Sequence, residues 1–192
     1  MCLVWEDDSY SEGWWAEFNH KESSCNSTDI MEFNGGFIDC NVVLDINEGI
    51  MADVKSFDVG SFAGTSRLVS HRLKSFLIEA IGDSAGFFPT ICRCSDGDLI
   101  GYSLLAPKRH ISCVDLDNTD VIDWISPGNT IRRYSKISLK ESCLEPMGIC
   151  RDFHAPYFTI VGRELANMLI NKGFTGLRFV EIKDANNPMS II

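Results

Sequence analysis

Long apolar runs are missing from this sequence. No stretch of about eighteen consecutive apolar residues occurs, which removes a membrane-spanning helix from consideration. The opening Met1-Cys2-Leu3-Val4-Trp5-Glu6-Asp7-Asp8 has neither a basic leader nor an apolar segment of the secretory kind, so the chain is expected to stay in the cytoplasm. Reactive signatures are missing as well. The histidines, His20, His71, His110 and His154, are scattered and form no HExxH pattern, so catalytic zinc of that kind is not expected. There is no Gly-x-Ser-x-Gly elbow, and the small-residue loop Ser61-Phe62-Ala63-Gly64-Thr65-Ser66 reads equally well as a linker. Neither glycine-rich phosphate loop occurs, which leaves nucleotide dependence without support. No catalytic residue, metal ligand or cofactor follows from these patterns.

Basic residues are scarce where acids are dense. Residues 1–58 hold 13 Asp and Glu against Lys21 and Lys55, whereas the remainder holds 14 acids and 15 basic residues, so the net charge of −10 is concentrated in the first segment. Such a field repels nucleic acid and anionic membrane and steers association with a basic protein surface. A solubilising face would carry the same charge, and both readings stand on charge alone. The basic group Lys108-Arg109-His110 with Arg132-Arg133 is too small to reverse the balance, so nucleic-acid binding is not expected.

Eight cysteines without a secretion signal read as reduced thiols rather than a disulfide framework. In a strand, Cys92 and Cys94 would share a face, and Cys113 in a neighbouring strand would make a redox or metal site conceivable. Ordinary buried cysteines fit the pattern better, because thiolate ligation usually brings paired motifs at both ends.

Aromatic residues are plentiful among the acids: Trp5, Tyr10, Trp14, Trp15, Phe18, Phe33, Phe37 and Phe57. A disordered acidic tail lacks such residues, so the first segment should pack onto the fold. Gly35-Gly36 reads as a turn delivering a strand through Phe37-Ile38-Asp39-Cys40-Asn41-Val42-Val43-Leu44. The length suits a single domain over residues 1–192, with an acidic aromatic subregion at 1–64 and a core at 65–192.

Two amphipathic helices stand out. One begins at the N-cap Ser70, carries Leu73, Phe76, Leu77, Ala80 and Ile81 on one stripe, and ends near Gly82. The other runs from Gly162 through Leu165, Met168 and Leu169 to Gly173. Strand-like runs lie between them at Thr90-Ile91-Cys92-Arg93, Tyr102-Ser103-Leu104-Leu105, Ser112-Cys113-Val114-Asp115 and Thr130-Ile131-Arg132-Arg133-Tyr134, and another at Gly176-Leu177-Arg178-Phe179-Val180-Glu181-Ile182. The fold class is therefore α+β, with a mainly antiparallel or mixed sheet. Leu68-Val69-Ser70-His71-Arg72-Leu73 also lines up with Ile160-Val161-Gly162-Arg163-Glu164-Leu165, either as a duplicated strand-helix element or because any short strand feeding a helix looks this way.

Over residues 65–183 the order of these pieces resembles a bacterial immunity-protein family of polymorphic toxin systems, long known only as a domain of unknown function. The resemblance is carried by Leu68-Val69-Ser70-His71-Arg72-Leu73-Lys74-Ser75-Phe76-Leu77, by Cys113-Val114-Asp115, by Tyr157-Phe158-Thr159-Ile160-Val161 and the helix after it, and above all by Gly173-Phe174-Thr175-Gly176-Leu177-Arg178-Phe179. Gly162 departs from the polar cap such families place there. The resemblance implies a protein that binds and neutralises a toxin of its own lineage or of neighbouring kin in bacterial competition. It transfers no catalytic residue and no cofactor.

The toxin-facing surface is expected in the acidic, aromatic start of the chain, with Trp14 and Trp15 as anchors and Glu6, Asp7, Asp8, Glu12 and Glu17 steering a basic cognate toxin domain. The competing reading puts the tryptophans in the core and the acids in water. Two other functions fit an α+β chain of this kind: an enzyme that reverses a toxin's modification, which needs acids and bases converging in a pocket, and an interaction module of other purpose.

Overall fold

The computed structural model describes residues 2–6, 13–36, 40–60, 62, 66–126 and 128–182. In chain order they form β1 (Cys2–Glu6), β2 (Trp15–Phe18), α1 (Ser27–Met31), β3 (Val42–Asn47), α2 (Met51–Lys55), β4 (Val59–Gly60), β5 (Arg67–Ser70), α3 (His71–Ile81), β6 (Ala85–Cys94), β7 (Gly97–Pro107), β8 (His110–Ile111), β9 (Asp120–Ser126), β10 (Thr130–Lys136), β11 (Ile149–Asp152), β12 (Thr159–Gly162), α4 (Arg163–Asn171) and β13 (Arg178–Val180). A six-stranded sheet has the order β2-β3-β6-β7-β5-β4 and a five-stranded sheet the order β13-β1-β12-β11-β8, while β9 and β10 pair as a hairpin. Both larger sheets are mixed: β3 runs parallel to β6, β8 runs parallel to β11, and the remaining pairs are antiparallel. The fold is α+β.

Alternation along the strands sorts side chains into three apolar layers. Leu44, Leu68, Phe88, Cys92 and Leu104 leave one face of the six-stranded sheet for a core shared with Ile30 of α1 and Val54 of α2. From the other face, Val69 and Leu105 meet Leu3, Trp5, Ile149 and Val161 of the second sheet, and the stripes of α3 (Leu73, Leu77, Ile81) and α4 (Leu165, Ala166, Leu169) fill this middle layer. Cys2, Val4, Cys150 and Ile160 point away from it, into a third layer closed by Ile131 and Tyr134 of β10.

Both long helices follow directly from a strand, without a loop. At α3 the Ser70 hydroxyl accepts from the Leu73 amide at 3.2 Å, and Gly82 ends the helix at φ +55°. At α4 the cap residue Gly162 has no side chain, and the Pro146 carbonyl from a neighbouring loop accepts from the Glu164 and Leu165 amides at 3.1 and 3.2 Å. A β-carbon on residue 162 would lie 2.1 Å from that oxygen, so the close approach that caps the helix requires glycine. The aligned strand-helix segments are thus alike locally and are capped by different means.

The turn after α4 docks onto β4. The Asp58 carboxylate accepts from the Ser70 hydroxyl at 2.7 Å, from Arg72 Nη2 at 2.9 Å and from the Thr175 amide at 3.1 Å. Arg72 also donates to the Gly173 carbonyl at 2.9 Å and lies over the Phe174 ring at 4.4 Å. Gly173-Phe174-Thr175-Gly176 is therefore a docking turn that ties the ends of both strand-helix elements together.

Four expectations change. Cys25 and Cys40 form a disulfide with Cα atoms 5.5 Å apart, where reduced thiols were expected. The reason is local: the Ser24 amide donates to the Asn41 carbonyl at 3.0 Å and the Asn41 amide donates to the Ser24 hydroxyl at 2.8 Å, which holds the two chain segments side by side. The strand expected from Phe37 begins at Val42, residues 37–39 lying outside those described. Ser112-Cys113-Val114-Asp115 is no strand beyond an isolated bridge between Val114 and Leu139, because the Cys113 and Val114 amides turn to the buried Asp152 carboxylate at 2.7 and 2.8 Å. The last strand is only Arg178–Val180.

Candidate protein-binding face

The middle layer covers only part of the six-stranded sheet. Beyond α3, the face of β2, β3, β6 and β7 opposite α1 and α2 carries the exposed positions Trp15, Glu17, Ile91, Asp98 and Ile100, with Val43 buried among them. The register builds it row by row: Glu17 lies beside Asp45, Asp45 beside Arg93, and Arg93 beside Asp98, while Trp15 lies beside Asn47 and Val43 beside Ile91. The alternate positions, Ala16, Leu44 and Cys92, point into the core. Trp15 is 37% exposed, Ile91 37% and Ile100 75%; Trp15, beside Asn47, and Ile91, beside Val43, stand on opposite sides of the charged row. Ile91 and Ile100, with Pro89, His71 and Lys74, also line a groove of about 230 Å³ at the start of α3.

The charges on this face are organised around Arg93. Its two terminal nitrogens donate to Glu22 at 2.5 and 2.7 Å, and its Nε lies 3.7 Å from Asp98. The Glu22 hydrogen bond and charge, followed by Asp98 and Asp45, raise the guanidinium pKa above its usual value, and Arg93 in turn holds the Glu22 carboxyl below the ordinary carboxylate range. Trp15 Nε1 donates to Glu17 at 3.1 Å, and Asn19 donates to Asp45 at 3.0 Å. One guanidinium therefore faces carboxylates from three segments, Glu22, Asp45 and Asp98, and with Glu17 on the same face the patch is acidic.

The residues expected at a toxin-facing surface are separated by the fold. Trp15 and Glu17 stand on the face of β2, β3, β6 and β7. Trp14 is 1% exposed in the core, 6.4 Å from Phe57 between ring centroids. Glu6, at the end of β1 in the other sheet, is 7% exposed and lies 3.1 Å from Arg178 of β13. Asp7, Asp8 and Glu12 lie outside the described residues. Sequence reasoning missed Ile91, Arg93, Asp98 and Ile100. The usable signal was Arg93 two residues after Ile91 in one strand, which marks a wet face.

Other clusters resolve into structure. Cys92 and Cys94 belong to the first layer and Cys113 to the third, and burial pushes the Cys92 thiol up to about 12. Lys108 pairs with Asp83, Arg109 with Glu145 and Arg132 with Asp123. Among the described residues, no group of three or more His, Cys, Asp or Glu is arranged to hold a metal ion, and no helix is long and apolar enough to cross a membrane.

A family model described as immunity protein family, Imm11, matches residues 40–184. The chain belongs to the Imm11 family. No curated protein matches it. The family match begins ahead of β3, well before the start of the resemblance read from sequence at residue 65, and it takes in both strand-helix elements and the docking turn at 173–176. Of the candidate face, β3, β6 and β7 fall within the Imm11 match, while β2 with Trp15 and Glu17 precedes it.

Proposed function

We propose that this Imm11 protein neutralises a cognate toxin by binding it directly, without catalysis, through this face of β2, β3, β6 and β7. The observation that carries the reading is the juxtaposition on one sheet face of Trp15, Ile91 and Ile100 with the carboxylates of Glu17, Asp45 and Asp98. Large apolar side chains supply binding energy at protein interfaces, while surrounding charge sets on-rate and partner selectivity. Trp15 is the anchor, Trp14 holds the strand from beneath, and Glu17, with Asp7, Asp8 and Glu12 near it in sequence, gives the negative field that draws a basic toxin surface, while Glu6 is held by Arg178 in the other sheet.

The test is co-expression with the toxin domain encoded beside the gene, scored by growth rescue and by recovery of a stoichiometric complex at low and high salt. Trp15→Ala should weaken the complex by about 2 kcal/mol or more, roughly thirtyfold, and Glu17→Lys should slow association most at low salt. Full affinity in both folded variants overturns this face as the contact. Rescue at substoichiometric protein without a complex would mean an enzyme.

A further inference from the structure

The third apolar layer contains a group of thiols that plays no part in the proposed toxin contact. Cys2 of β1 and Cys150 of β11 project into it, and Cys113 and Cys143 reach it from loops. The Sγ atoms of Cys143 and Cys2 lie 3.0 Å apart, and those of Cys113 and Cys150 3.7 Å apart. Cys113 also shares a hydrogen bond with Cys143. Within this group, Cys2, Cys113 and Cys150 are buried and Cys143 alone is partly exposed.

We infer that Cys2 and Cys143 are a thiol pair poised to form a second disulfide by exchange with a small-molecule disulfide such as oxidised glutathione. Three observations select this pair. Its sulfurs are 3.0 Å apart, well within the distance a small side-chain shift closes, whereas a disulfide bond itself is about 2.0 Å. It contains the one member that a solvent-borne reagent reaches. It joins segments 141 residues apart in sequence, so its closure clamps β1, which sits between β12 and β13, to the loop preceding β11. The existing link between Cys25 and Cys40 spans a sequence separation of only 15.

The exchange balances in two steps. The Cys143 thiol loses its proton to solvent, and its sulfur attacks one sulfur of the small disulfide, releasing one small thiolate and leaving a mixed disulfide. Cys2, deprotonated in turn, attacks the Cys143 sulfur and releases the second small thiol. Two protein thiols are oxidised and one small disulfide is reduced to two thiols. Burial raises the Cys2 thiol to about 11 and the Cys143 thiol lies higher still, through its hydrogen bond with Cys113 and through burial, so the exchange is slow at neutral pH.

The test is peptide mapping of the full chain after incubation with oxidised glutathione, acid quenching and maleimide alkylation. The expected product is a Cys2–Cys143 linked peptide beside the Cys25–Cys40 one, with Cys113 and Cys150 alkylated on unfolding. Thermal unfolding of the oxidised protein should shift upward by several degrees, as closing a long loop predicts, and the shift should vanish in Cys143→Ser and persist in Cys150→Ala. Recovery of Cys2 and Cys143 both alkylated, a stable mixed disulfide on Cys143, or pairing of Cys143 with Cys113 overturns the inference. So does retention of one Zn²⁺ per chain that protects all four thiols. Because the mapping is read on the unsubstituted chain, a variant that fails to fold does not affect its outcome.

Discussion

The Pro146 carbonyl both caps α4, through the Glu164 and Leu165 amides, and occupies the space where a β-carbon on Gly162 would stand, 2.1 Å away. Serine is a better N-cap than glycine in an isolated helix, so propensity alone makes Gly162→Ser stabilising or neutral. The geometry reverses that sign, because the obstruction is backbone, with the Glu145 carbonyl a further 2.3 Å neighbour, and cannot rotate aside. Gly162→Ser and Gly162→Ala should each cost about 2 kcal/mol or more, read as a lower midpoint in urea unfolding. A serine variant as stable as the parent would mean that the loop at 145–148 yields.

The helices α3 and α4 were legible because an amphipathic stripe, a cap and a terminal glycine repeat the same statement within a dozen residues. The capping of α4 was not, since a carbonyl supplied from outside the helix leaves no mark at the cap position. The strand β1 is buried on both faces between two partners, so Cys2-Leu3-Val4-Trp5-Glu6 has no alternation to betray it. The helices α1 and α2 have five residues each, too few to show a period. At the candidate face, Trp15 and Glu17 could be read from composition, but Trp14 could not be told from its neighbour until the strand phase was known. Arg93 and Ile100 join them only through pairings across the sheet, which no local pattern encodes.

The Asp152 carboxylate is fully buried and accepts four backbone amides, from Cys113, Val114, His154 and Ala155, at 2.7 to 2.8 Å. It fixes the turn between β11 and β12 and the segment following β8. Asp152→Ala leaves four amide donors without their acceptor and should destabilise the protein by about 3–5 kcal/mol. Asp152→Asn retains one oxygen but sets an NH₂ group against two N–H donors, and should still cost about 2 kcal/mol. Equilibrium denaturation of the two variants checks the order. An asparagine variant equal to the parent would show that the carboxylate charge is dispensable.

The Glu22 carboxyl titrates below its ordinary value of 4.5 because Arg93 donates to it. A folded-state value depressed in this way contributes stability that is present above the unfolded value and is lost as pH falls through the folded one. The acidic face should therefore keep Glu22 more fully charged than an ordinary glutamate as the pH falls through and below 4.5. Removing the guanidinium in Arg93→Ala should return the Glu22 titration, followed by NMR of its side-chain carbon, to the ordinary range. An unchanged midpoint in that variant would remove Arg93 as the cause.

Trp14 and Trp15 are adjacent in sequence and opposite in environment, which separates stability from recognition in one pair of substitutions. Trp14 fills the space against Gly49 and Gly60, where an added β-carbon would come within 3.1 and 2.7 Å of its side chain. Trp14→Ala should open a cavity there and cost about 3–5 kcal/mol, visible in denaturation with no toxin present. Trp15 donates its ring N–H to Glu17 and leaves 37% of its surface exposed, so Trp15→Ala should cost distinctly less stability than Trp14→Ala. Its effect should instead emerge in toxin affinity, through a faster off-rate. Glu17→Lys should act mainly on the on-rate, and 0.5 M salt, at a Debye length of about 4–5 Å, should erase most of that difference. Equal stability losses in the two tryptophan variants would place both rings in the core and move the binding face elsewhere.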